Sequence, residues 1–133
     1  RVENTVVTKS GTMVSVDAQI IIDTIEPKYV SRAGYKLEKA LDHFGIVVDN
    51  LIVLDAGLST GGFTDCLLQR GAARVYGVDV GYGQVHEKIR NNPRVIVMER
   101  TNLRYPLSIS QTVDMVTLDL SFISVLKVMQ TIN

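Results

Sequence analysis

Residues 51–83 read LIVLDAGLSTGGFTDCLLQRGAARVYGVDVGYG. The order is an apolar run, a glycine-rich loop, a short amphipathic segment and a second apolar run ending on an acid. Ile52, Val53 and Leu54 have no polar break, as a parallel strand buried on both faces requires, and Asp55 marks the carboxyl end of that run. Gly57, Gly61 and Gly62 permit close backbone approach and positive φ, so a ligand can sit against main-chain N–H groups where a helix starts near Phe63. About twenty residues after the loop, Val75 to Val78 predict the next strand. It ends on Asp79, whose carboxylate can accept hydrogen bonds from ribose hydroxyls. The unit is that of a nucleotide-binding α/β fold.

The glycine spacing narrows the nucleotide. In Gly57-Leu58-Ser59-Thr60-Gly61-Gly62 a serine stands where a dinucleotide fingerprint has its second glycine, the one that lets a pyrophosphate approach the backbone. No Gly-Lys-Ser or Gly-Lys-Thr follows, so a P-loop is excluded as well. S-adenosylmethionine has a ribose and no phosphate. A loop opened by an acid, with a second acid closing the next strand, resembles the methyltransferase version of this fold. Ser59, Thr60 and Phe63 join the glycines and the two aspartates as candidate cofactor contacts.

The 133 residues, 46% hydrophobic and 21% charged, suit a globular core, and 14 basic residues balance 14 acidic ones, so an RNA-binding surface has to be local. One cysteine excludes an intrachain disulfide framework, and with two histidines it offers no zinc cluster. No apolar run reaches the roughly twenty residues a membrane span needs, and the expected location is the cytoplasm.

Outside the central unit, VENTVV, TMVSV and AQIII predict short strands around a turn at Lys9-Ser10-Gly11, with a linker over 24–28 at Glu26 and Pro27. Ser31 is placed to cap a helix with Leu37, Ala40, Leu41 and Phe44 on its apolar face and Gly45 at its end. A helix from Gly62 to Arg70 buries Phe63, Cys66 and Leu67, and another spans Gln84 to Arg90. Strands over Val95–Met98 and Val113–Leu118 complete four parallel candidates. A doubly wound sheet needs more, so an incomplete sheet is expected in a chain truncated at both ends. His43 and His86 lack partners at ligand spacing and Tyr82 can flank the cofactor, while Lys127 reads as a solvated helix residue.

Ligands of open α/β sheets bind outside the carboxyl ends of the strands, where Asp55, Asp79, Asn102 and Asp119 all fall. At these positions YVSRAGYKLEKALDHFGI, then LDAGLSTGGFTDCLLQRGAARVYGVDVGYGQ, RVIVMERTNLR and TLDLSFIS together resemble the hemolysin A or TlyA type of ribosomal RNA methyltransferase, within the FtsJ-like group. The resemblance covers about residues 29–126. It implies a Rossmann-like methyltransferase domain from residue 29 to 133, preceded over residues 1–23 by the last strands of a small RNA-binding domain.

The resemblance also implies ribose 2′-O-methylation by a Lys-Asp-Lys-Glu tetrad. Lys36 in SRAGYKL matches the first lysine and Asp119 in LDLSF the aspartate; the second lysine and the glutamate would lie beyond Asn133. A ribose hydroxyl is a poor nucleophile, so its proton must leave as the oxygen attacks the methyl, and an amine of lowered pKa can take it. No metal is needed. Arg32 and Lys39, flanking Lys36, are candidate phosphate contacts to ribosomal RNA or a ribosomal subunit. Three readings compete with this one: a non-catalytic RNA- or cofactor-binding module, a membrane-acting hemolysin, and an NAD-dependent enzyme, which Ser59 opposes.

Overall fold

A computed structural model of the chain describes residues 1–22, 26–121 and 123–132. The elements run α1 (Ala33–Phe44), β1 (Ile52–Ala56), α2 (Gly62–Gln69), β2 (Arg74–Val78), α3 (Glu87–Arg90), β3 (Val95–Met98), β4 (Met115–Leu118) and α4 (Val125–Ile132). The four strands pair in the order β3-β2-β1-β4, all parallel. The chain therefore winds outward from β1 in one direction through β2 and β3, then returns to the other side for β4. The switch point between β1 and β4 is where such sheets leave a crevice.

Alternation along the strands divides the core in two. Val53, Val75 and Met115 face Leu37, Leu41, Cys66 and Leu67 on the α1 and α2 side, whereas Leu54, Tyr76, Val78 and Val116 face Leu103 and Val128 on the other. Fully burying a leucine or valine in such a layer stabilises by about 1.5–3 kcal/mol, so the paired layers fix the register and with it the positions of the strand ends. Gly45, at φ 62, ends α1 with its own N–H on the Asp42 carbonyl and that of Ile46 on Leu41, a left-handed turn that glycine adopts without a Cβ penalty.

Several expectations change. Ser31 does not cap α1: Arg32 occupies that position, no side-chain cap bond forms, and the Ser31 carbonyl rather than its hydroxyl meets the Gly34 N–H. Phe44 is 71% exposed, because α1 has 12 residues against 8 in α2 and overhangs its packing partner by about one turn. In α2 the fully buried polar residues Thr64 and Asp65 take the place expected for Phe63, which is only partly buried. The helix expected over 84–90 shortens to α3, since Gly83 turns at φ 72 and His86 Nδ1 accepts from Lys88 N–H as its cap.

The expected N-terminal hairpin is also absent among the described residues, where residues 1–22 form only the isolated bridges Val2–Thr5 and Val2–Ile20. Met13 and Val16 are almost wholly exposed, so no second layer covers these β-branched residues, and a lone strand pair is marginal without one. The expected linker lies partly outside the described residues. Among the described residues, no helix is long and apolar enough to cross a membrane.

Candidate active site

The loop after β1 is shaped by main-chain bonds. The Val78 carbonyl accepts from both Gly57 N–H at 2.8 Å and Leu58 N–H at 3.0 Å, and the Leu58 carbonyl accepts from Gly61 N–H at 2.8 Å. Asp79 extends this bracing: its Oδ2 accepts from Ser59 N–H and its Oδ1 from Gly81 N–H, each at 2.7 Å. A carboxylate that accepts these two bonds keeps further acceptor capacity, and Asp79 lines the neighbouring cleft. Gly57 has φ 97, and a Cβ built there would stand 2.5 Å from the Asp119 carbonyl oxygen. Glycine is needed at this point because the loop and the end of β4 touch through their backbones.

Lys36 and Asp119 are 83 residues apart in the chain and meet at 2.7 Å between Nζ and Oδ1. The lysine also lies 5.8 Å from the centre of the Phe63 ring. Both partners are well exposed, 65% and 40% by side chain. A surface pair of this kind adds no more than about 1 kcal/mol to stability, so its position, rather than its contribution to the fold, is what matters here.

Between these walls lies a cleft of about 380 Å³. Gly57, Ser59, Asp79, Asn102 and Asp119 all line it, with Leu103 and Ile123 as apolar surface. A smaller cavity of about 180 Å³ adjoins it, reached by Thr60, Gly62 and Phe63 and sharing Gly57, Ser59, Asp119 and Ser121 with the first. Among the described residues the lining of both carries two carboxylates and no lysine, arginine or histidine. Asp119 is paired with the Lys36 ammonium at the rim, whereas Asp79 meets main-chain N–H groups and has no ion pair among the described residues. An acid so placed suits ribose hydroxyls better than a phosphate.

Asp55 behaves differently from the expected cofactor contact. It is fully buried beneath the loop and lines neither cavity. Its Oδ2 accepts from the Thr64 hydroxyl at 2.7 Å and its Oδ1 from the Thr117 hydroxyl at 3.0 Å. Burial is the main cause that pushes its carboxyl up to about 6; the threonine bonds oppose this, and the charge on Asp119 adds to it slightly.

Gly61, at φ 99, lies against Ile89 beneath the loop and lines neither cavity. Asn102 lines the larger cleft, and its Oδ1 accepts from Arg104 N–H at 3.0 Å, which fixes the local turn. Arg32, at the N-cap of α1, and Lys39, within it, stand exposed on either side of Lys36 in the sequence and line neither cavity. Tyr82 is also outside the cleft, stacked under the Arg100 guanidinium at 4.2 Å. Cys66 is core, and Lys127 is exposed on α4. Among the described residues no group of histidine, cysteine, aspartate and glutamate side chains could hold a metal ion.

Two serines were not foreseen as site residues. Ser121 lines both cavities, and Ser31 lines the smaller one, its buried hydroxyl without a partner and closing the space a Cβ at Gly62 would need. Ser31 stands where a capping serine is ordinary, and only the packing of α1 against the loop reveals its place in the cavity. Ser121 lies in the LDLSF motif two residues after Asp119, which is the signal that could have found it.

Comparison with known proteins agrees with this geometry. Residues 29–133 match the family model described as FtsJ-like methyltransferase. The chain is 48% identical over 132 residues to the 16S/23S rRNA (cytidine-2′-O)-methyltransferase TlyA of Mycobacterium tuberculosis, covering 97% of this chain and 49% of that protein. It is 50% identical over 104 residues to Hemolysin A of Brachyspira hyodysenteriae, covering 76% and 43% respectively. A solved structure from Streptococcus thermophilus, named as a candidate hemolysin, superposes with a TM-score of 0.77 at 44% identity over 80% of this chain and 40% of that one. The chain spans about half the length of the curated relatives it matches.

Proposed function

The chain belongs to the FtsJ-like methyltransferase family, and from that premise we propose that it is the cofactor-holding part of an S-adenosylmethionine-dependent enzyme that methylates a ribose 2′-hydroxyl of ribosomal RNA. The observation that carries this reading is the cleft itself, lined by Asp79 beside the glycine loop and by Asp119, which the Lys36 ammonium meets at 2.7 Å. S-adenosylmethionine supplies an activated methyl group when bound. Asp79 would take the ribose hydroxyls, Asn102 the base end, and Gly57, Ser59, Thr60, Gly62 and Phe63 the remainder; Gly61 shapes the loop from beneath.

Lys36 and Asp119 then act on the RNA. Asp119 accepts a hydrogen bond from the incoming hydroxyl, while the Lys36 ammonium donates to the hydroxyl oxygen and holds Asp119 in place. Both orient the attacking oxygen, and orientation alone contributes several kcal/mol to such a step; as the oxygen takes the methyl group, its proton passes to an amine base, the role that the resemblance gives to the second lysine, and the neutral thioether leaves. Arg32, Lys36 and Lys39 follow one another along α1 at offsets of four and three residues. Four residues span about 6 Å of helix, so the three cations form a ridge along which the phosphates on either side of the target ribose can be held. The relative named TlyA acts on cytidine ribose in 16S and 23S rRNA, and we extend the ribose chemistry, not the nucleotide, to this chain.

The test is transfer of a labelled methyl group from S-adenosylmethionine to ribosomal RNA by the full-length protein, followed by nucleoside analysis. The expected product is a 2′-O-methylated nucleoside. Label on a base, or calorimetric binding of NAD with none of S-adenosylmethionine, would overturn the reading.

A further inference from the structure

We infer that Asp55 is a positioning residue that holds Asp119 and the start of α2 in mutual register through Thr117 and Thr64, touching neither cofactor nor RNA. The inference rests on the methyltransferase reading above for the role of Asp119, and on the geometry beneath the loop for everything else.

Asp55 and Thr117 are direct partners across the parallel β1–β4 ladder, and their side chains lie on the same face of the sheet. Thr117 precedes Asp119 by two residues, so Asp119 projects toward that face as well. Beyond that pair the Asp119 N–H donates to the Ala56 carbonyl at 3.2 Å. The other oxygen of Asp55 holds the Thr64 hydroxyl in the first turn of α2, immediately after the glycine loop. One carboxylate thus joins the carboxyl-terminal ends of both strands, at their penultimate residues, to the helix that follows the loop. Above it the Gly57 backbone approaches the Asp119 carbonyl, but the loop is braced separately by Val78 and Asp79, so loss of a threonine arm displaces the Asp119 carboxylate and leaves the loop in place.

The second fully buried acid shows what a purely structural arrangement looks like. Asp65 accepts from Val30 N–H and Gln69 Nε2 and has Lys88 Nζ at 3.5 Å as a cation partner. Asp55 has only hydroxyl and main-chain donors, with Asp119 as the nearby charge that acts on it unfavourably. A buried carboxylate without a cation is costly to the fold. Its placement at the one junction that controls Asp119 is the compensation.

The test uses the full-length protein with Thr117→Val, a replacement of equal shape and good strand propensity that removes one arm, and Thr64→Val, which removes the other. For folded Thr117→Val, the methyl-transfer rate at saturating cofactor and RNA should fall on the order of 10- to 100-fold, because small displacements of an orienting group have effects of that size. Its affinity for S-adenosylmethionine should stay close to that of the wild type, and Thr117→Ser, which restores the hydroxyl, should recover most of the rate. Thr64→Val should show the same separation of rate from affinity. An unchanged rate in both valine variants, affinity lost in step with rate, or failure of serine to rescue would overturn the inference. Wild-type methyl transfer is the separate control: its absence sinks the functional reading, whereas its presence beside unaffected valine variants sinks the positioning role.

Discussion

On one side of the cleft the loop from Gly57 to Gly62 is held by main-chain bonds to Val78 and by both oxygens of Asp79. On the other, Lys36 and Asp119 meet through exposed side chains, and Asp119 reaches the sheet by one ladder bond and the Thr117 contact two residues earlier. The first wall is set before any ligand arrives. In the second, the ion pair is weak enough to open around an incoming hydroxyl while the strand beneath it stays fixed. This division suits a methyl transfer, in which the donor is bound firmly and the acceptor must be admitted and aligned.

The comparison can be broken most sharply at the exposed wall. Lys36→Met should lower the methyl-transfer rate on the order of 10²-fold or more, the effect expected when the attacking oxygen is no longer held in position. Unfolding free energy should move by less than about 1 kcal/mol, since the pair is solvent-screened. Rate measurements beside urea denaturation check both, and a matching loss of stability would merge the two walls into one.

Gly57→Ala attacks the rigid wall. The new methyl would meet the Asp119 carbonyl at 2.5 Å from a backbone at φ 97, and strain there should cost about 1–3 kcal/mol of stability. Cofactor affinity should fall about tenfold or more as the loop shifts, readable by calorimetry. Weakened binding with the rate at saturation preserved would confine the glycine to the rigid wall; loss of both would show that the loop and Asp119 move as one.

A smaller effect concerns the acid below both walls. Because burial raises the Asp55 carboxyl to about 6, the folded state holds a proton that the unfolded chain releases near the ordinary carboxylate value of about 4. Stability from this group is therefore present at low pH and lost as pH rises from about 4 through about 6, by up to about 3 kcal/mol. Asp55→Asn lacks that titration. The wild-type stability measured relative to the variant should decline across this window, and a difference that rises with pH would reverse the assignment.

Much of the loop side of the cleft was legible because its signals are local. Gly57, Asp79 and the strand runs lie within one continuous stretch, and periodicity with glycine spacing suffices to order them. The Lys36–Asp119 pair was reached only through resemblance, since no local pattern links residues 83 apart. Asp55 shows where spacing misleads: an acid at the end of a strand reads as a ligand contact, but its exposure depends on Thr64 and Thr117, which enter from other elements. Ser31 was misread for a related reason, its capping pattern being overridden by packing of α1 against the loop. The β-branched runs before residue 23 carried strand propensity, yet propensity without a covering layer left only isolated bridges among the described residues.

The most direct test of the division between a binding wall and a chemical wall is a paired measurement on Asp119→Ala and Asp79→Ala: affinity for S-adenosylmethionine by calorimetry, and labelled methyl transfer to ribosomal RNA by the full-length protein. The account predicts that Asp119→Ala binds the cofactor nearly as the wild type does and transfers no methyl group, while Asp79→Ala loses affinity first. Methyl transfer that survives Asp119→Ala, or a cofactor affinity that collapses in that variant and persists in Asp79→Ala, would contradict it.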